Sequence, residues 1–121
     1  MDVVISERSS APIYEQIRVQ LASQILDGRL PANAPLPSIR TVARELGISV
    51  ITVRKAWELL EAEDLIYTRA GKGAFVAPHA ADVLASKRHA LAVERFRREA
   101  AFYRALAISR EELADIVEQE Y

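Results

Sequence analysis

Apolar residues recur through the first half of the chain at three- and four-residue intervals, and each run is bounded by residues that start or stop helices. Ile13, Ile17, Leu21 and Ile25, with Tyr14 and Leu26 beside them, make one face of a first helix. Pro12 opens it, because its missing N–H costs nothing there and its fixed φ suits the first turn, and Gly28 stops it. The stretch Leu30 to Pro37 contains Pro31, Pro35 and Pro37 and is predicted to be a rigid loop. Ile39, Val42, Ala43 and Leu46 then line one side of a short helix that Ser38 can cap. Gly47 ends it, since glycine takes the left-handed conformation of a helix terminus without steric cost. Ser49 caps a third helix, whose Val53, Ala56, Trp57 and Leu60 form a buried stripe. A helix, a glycine turn and a capped helix make a helix-turn-helix.

Two short strand-like runs follow, Leu65 to Arg69 and Ala74 to Ala77, joined by Ala70-Gly71-Lys72-Gly73. The glycines suit a tight turn with Lys72 at its tip. Helix pair plus hairpin predicts a winged helix. Beyond Pro78, Val93, Phe96, Ala100, Tyr103 and Ala107 alternate at three and four residues along a helix spanning 80–107, a narrow seam of the kind that packs on another helix. Ser109 and Glu112 form a capping box for a last short helix bearing Leu113, Ile116 and Val117. The expected fold is therefore mainly α with a small β-hairpin wing: a winged helix-turn-helix domain over 1–78 and a two-helix tail over 79–121. Two seamed helices without a globular body bury themselves either by dimerising or by folding back on their own winged domain. Dimerisation is the simpler solution. Val3, Val4 and Ile5 could form a strand before the first helix or fray.

Composition removes several classes of function. There is no cysteine, which excludes disulfides and thiolate chemistry and fits a cytoplasmic protein. No apolar run approaches a membrane span, and Asp2, Glu7 and Arg8 interrupt any signal peptide. His79 and His89 have no nucleophile or ligand cluster beside them, so neither an enzyme nor a metal site is expected, and no cofactor. The net charge of −1 argues against nucleic acid until its distribution is considered. From Ser38 to Lys55 the chain carries Arg40, Arg44, Arg54 and Lys55 against Glu45 alone, and the ribbon adds Arg69 and Lys72 with no acid. Val50, Ile51, Arg54 and Lys55, with Thr52 at the edge, lie opposite the buried stripe of the third helix, while Glu58, Glu61, Glu63 and Asp64 fall in its far half. An isolated helix with Arg54 and Lys55 would be read as solvated surface. A helix pair and a cationic ribbon beside it make these residues a recognition face, with Lys72 placed for phosphate or the minor groove.

The motifs PIYEQI at 12–17, LPSIR at 36–40, LGIS at 46–49, TVRKAWELLE at 52–61 and GKGAFV at 71–76 closely resemble, in register, the winged-helix DNA-binding domain of the GntR family of bacterial transcription regulators. The resemblance runs from about Val4 to Ala77, and the tail resembles the short two-helix tail of the YtrA-type subfamily. It implies a homodimeric regulator, expected to be a repressor, that binds an inverted-repeat operator in double-stranded DNA through a recognition helix near 49–63 and a wing near 65–77. Arg40 and Arg54, matched to the family's pattern, would read base edges; Ser38, Ser49, Thr52, Lys55, Arg69 and Lys72 would meet the backbone, with Gly71 and Gly73 shaping the wing. Val50 and Ile51 stand where the family commonly has Arg or another polar residue, which favours thymine methyls over guanine edges. Asn33 and Asp64 replace glycines usual in the family, and both residue types tolerate left-handed backbone. A small-molecule effector could bind at the dimer or linker interface near Phe102 and Tyr103. The competing reading is a winged helix used as a protein–protein adaptor without specific DNA binding.

Overall fold

The computed structural model describes residues 1–121 as five helices and one hairpin: α1 (Ile13–Leu26), α2 (Ile39–Leu46), α3 (Val50–Ala62), β1 (Ile66–Arg69), β2 (Gly73–Val76), α4 (Ala81–Ala105) and α5 (Arg110–Glu120). They fall into two compact units, 1–88 and 89–121, which meet within α4.

The first unit is a winged helix. α3 is its centre and packs on α1, α2 and β1. Ile17, Leu21, Val42, Val53, Leu60 and Val76 are fully buried between them, each worth about 1.5–3 kcal/mol relative to exposure. Pro12 lies just outside α1 as its N-cap rather than in its first turn, and Ile13, expected in the buried stripe, is 38% exposed. Ser38 and Ser49 cap α2 and α3 as the sequence predicts, each side chain accepting a hydrogen bond of 3.1 Å from the N–H three residues on. Gly47 (φ +67°) ends α2 and Asp64 (φ +58°) follows α3, both left-handed. In both turns the next residue's N–H reaches back five residues, Ile48 to Ala43 and Leu65 to Leu60, which satisfies carbonyls the helix leaves open.

β1 and β2 pair antiparallel, from Ile66 opposite Val76 to Arg69 opposite Gly73. The proline-rich loop does more than connect. Asn33, in the left-handed conformation at φ +66°, starts a run that lies along the free edge of β2: Asn33 N–H donates to Val76, Val76 N–H to Ala34 and Leu36 N–H to Ala74. The hairpin is thus held on both sides of β2, which fixes the wing relative to α2.

The N-terminal segment is neither a sheet strand nor frayed. Gln16, Gln20 and Gln24 of α1 each exchange two hydrogen bonds with the N–H and C=O of one residue of the extended chain: Gln24 with Asp2, Gln20 with Val4 and Gln16 with Ser6. Four residues of helix rise about 6 Å and two residues of extended chain about 6.6 Å, so glutamines at i, i+4 and i+8 match alternate residues.

In the second unit, α4 ends at Ala105 and Ala107 occupies the turn to α5 with φ +59°. The seam expected through Ala107 therefore stops a turn earlier. Ile108 N–H bonds Tyr103 and Ala107 N–H bonds Arg104, the same helix-ending pattern built here on alanine. Ser109 and Glu112 form the predicted capping box. Neither α4 nor α5 has a buried residue, and Phe96, Phe102, Leu106, Ile116 and Val117 are exposed.

Candidate nucleic-acid interface

The start of α2, one side of α3 and the wing enclose an open groove of about 570 Å³. Ser38 and Arg40 of α2, Val50 and Arg54 of α3, and Arg69, Gly71 and Gly73 of the wing all line it, and no carboxylate does. Seven residues singled out from the sequence are thus gathered on one concave surface. Trp57, buried in the core stripe, forms its floor together with Pro37 and Ile39, and Thr68 adds a hydroxyl on the wing side. Thr68 was not foreseen. Its hydroxyl donates to Glu61 at 3.0 Å and so ties up one of the few acids near the wing.

Five other predicted residues lie outside the groove. Ile51, at the exposed start of α3, is 75% accessible, an uncommon position for a large aliphatic side chain without a partner. Val50 is only half-buried and faces the wing. Ser49 and Thr52 share a hydrogen bond of 2.8 Å between hydroxyls while Ser49 also accepts from Thr52 N–H. Two hydroxyls with one mutual bond leave one O–H to donate outward. In α2, Ser38 Oγ donates to Thr41 at 2.8 Å, so its proton is used within the cap.

Lys72 sits exposed in the turn between strands, which Gly71 (φ +75°) and Gly73 (φ +95°) close with a 2.9 Å bond from Lys72 N–H to Arg69. A residue with a side chain would be strained at both glycine positions. The last predicted cation has an aromatic partner: Lys55 Nζ lies 4.0 Å from the centre of the Tyr14 ring on α1. Arg69 makes a looser contact of the same type, 5.7 Å above Tyr67, whose ring stacks on Phe75 and whose hydroxyl bonds Asn33 at 2.9 Å. Tyr14 was not foreseen as part of the site, because its distance along the chain from Lys55 leaves no local signal.

At the other end of α3 the Glu63 carboxylate is engaged. Arg18, 6% exposed, binds Glu15 and reaches Glu63 at 2.7 Å. Lys87 donates to the Glu63 carbonyl at 2.7 Å, and His79 contacts that of Asp64. The chain contains no group of acids, histidines or cysteines arranged to hold a metal, and no helix long and apolar enough to cross a membrane.

Comparison with known proteins places this geometry. Residues 13–76 match the family described as bacterial regulatory proteins, gntR family. The transcriptional repressor NagR of Bacillus subtilis is 47% identical over 73 residues, which are 60% of this chain but only 30% of NagR. The repressor YtrA of the same organism is 34% identical over 78% of this chain and 73% of its own length. Among solved structures, the DNA-binding domain of AraR in complex with operator ORR3 superposes with a TM-score of 0.54 at 27% identity, covering 64% of this chain and 93% of that one. The family match spans the helix pair, the groove and the wing, and YtrA carries the likeness into the tail: the chain belongs to the GntR family of bacterial transcription regulators and is similar to its YtrA-like members.

Proposed function

We propose that this protein is a cytoplasmic, homodimeric repressor that reads an inverted-repeat operator, with residues 1–78 as the reading domain and 79–121 as the dimerisation tail. The observation that carries the reading is the groove, where Arg40, Arg54 and Arg69 converge without a carboxylate in a chain of net charge −1. In a duplex the strand between the major and minor grooves is a ridge of phosphates. A helix in the major groove and a wing at the neighbouring minor groove straddle such a ridge.

Each side chain then has a role. Arg40 and Arg54 reach base edges and Ile51, with Val50 behind it, contacts thymine methyls. Ser38, Ser49, Thr52, Lys55, Arg69 and Lys72 hold phosphates, and Gly71 and Gly73 let the wing backbone come close. The repressor role rests on the likeness to the repressors NagR and YtrA, and operator binding on the likeness to AraR bound to its operator. Exposed Phe96, with Val93, Ala100 and Tyr103 on the same seam of α4, supports pairing of two tails about a two-fold axis.

Selection of random duplexes on the purified protein tests this directly. The expected product is an inverted repeat with half-sites about one helical turn apart. On that duplex Arg54→Ala should cost about 1–3 kcal/mol and relax base preference, whereas Lys72→Ala should lower the salt slope by about 1. Phe96→Glu should give monomers in sedimentation. Unchanged affinity in both cation variants would overturn the site, and a surviving Phe96→Glu dimer the seam. Enrichment of no sequence would favour the adaptor reading.

A further inference from the structure

We propose that Tyr14, in the first turn of α1, is a positioning residue for DNA binding: it holds the Lys55 ammonium against its ring so that the charge stays available to a backbone phosphate. The proposal rests on the operator-binding reading above.

Lys55 stands on the solvent side of α3, in the half nearest the groove, and its Nζ is 4.0 Å from the Tyr14 ring centre. A lysine side chain is long and flexible, and fixing it on a phosphate costs rotamer entropy. Two kinds of partner could fix it beforehand. A carboxylate would do so but would cancel the charge that attracts the phosphate. Glu58 is available for this, three residues along the same helix and exposed, at a spacing that favours an ion pair. No such pair forms; Lys55 lies over the aromatic ring instead. An aromatic face attracts a cation through its quadrupole and leaves the net charge and the N–H donors intact. Tyr14 is itself half-buried, on a helix that packs along α3, so the ring is a stable platform beside the recognition helix. The phenol hydroxyl plays no part in this argument, so phenylalanine should serve as well as tyrosine.

The test is a double-mutant cycle on the full chain and the selected duplex, across a salt series, with Tyr14→Leu, Lys55→Met, the pair together, and Tyr14→Phe. Lys55→Met should reduce the salt slope by about 0.9, the loss of one phosphate contact. Tyr14→Leu should weaken binding roughly two- to fivefold, the scale of an exposed cation–aromatic contact, and should do so only while Lys55 is present. Tyr14→Phe should match the parent. The side-chain methylene protons of Lys55 should show an upfield ring-current shift in the free protein that Tyr14→Leu abolishes and Tyr14→Phe keeps, a readout that a merely structural Tyr14 would not move. Equal effects of Tyr14→Leu with and without Lys55, or an unshifted Lys55, would overturn the proposal. So would an unchanged salt slope in Lys55→Met while Arg54→Ala still weakens binding, and that result would leave the operator reading intact. A parent protein that selects no duplex would remove both.

Discussion

The contact that ties α1 to the end of the recognition helix makes an asymmetric prediction about which partner can be lost. Arg18 is 7% exposed at its side chain, whereas Glu15 is 18% and Glu63 41% exposed. The guanidinium holds Glu15 through Nε and, at 3.1 Å, through Nη2, and Glu63 through Nη1 at 2.7 Å. At 2.7 Å two unit charges attract by about 6 kcal/mol in a medium of effective dielectric about 20. Water reaches Glu63 and screens most of that, so Glu63→Gln should cost only about 1 kcal/mol. Glu15→Gln removes the better-buried carboxylate and should cost about 1.5–3 kcal/mol. With both neutralised, a buried guanidinium loses these two carboxylate partners, and the double variant should lose about 3–5 kcal/mol. Arg18→Met keeps the apolar stem and leaves two carboxylates that can each rehydrate, so its cost should be about 1–2 kcal/mol, less than that of the double variant. Urea unfolding followed at Trp57, the one tryptophan and 4% exposed in α3, reads the winged unit directly. If Arg18→Met proves at least as damaging as the double glutamine variant at equal m, the stranded-charge argument is wrong and Arg18 acts mainly through packing.

Two further outcomes follow from backbone geometry. Ala107 has φ +59° with no polar side chain to compensate, unlike Asn33 and Asp64, so Ala107→Gly should stabilise the tail by up to about 1 kcal/mol, measured as a raised midpoint of thermal unfolding; a lowered midpoint would refute the strain. Gln20→Ala removes both bonds to Val4, at 2.9 and 2.8 Å, and should speed amide hydrogen exchange of residues 2–6 severalfold with little change in global stability. Unaltered exchange there would mean that the glutamines do not hold the segment.

The parts of this fold that were legible in the sequence are those whose cause lies within a helical turn. Ser38, Ser49 and Ser109 cap the N–H three residues on, and the turns at Gly47 and Asp64 satisfy carbonyls within five, so local residue type points to the outcome. The groove was legible for a related reason: once α2, α3 and the wing are located, Arg40, Arg54 and Arg69 fall on one side of them. What escaped are polar pairings between distant segments. Arg18 and Glu63 are 45 residues apart and Gln24 and Asp2 are 22 apart, and each partner alone looks like ordinary surface. The glutamines did leave a trace. Gln16, Gln20 and Gln24 repeat every four residues on a buried to half-buried face adjacent to the apolar stripe, and the chain has an N-terminal run of β-formers. A uniform row of amides supplies donors and acceptors in alternation, which charged residues cannot, and that is the chemistry an extended backbone needs when no strand is present to pair with it. A glutamine repeat of period four next to a short β-forming segment therefore predicts a strand-like strap on a helix, and this chain is an instance where the repeat could have been read that way.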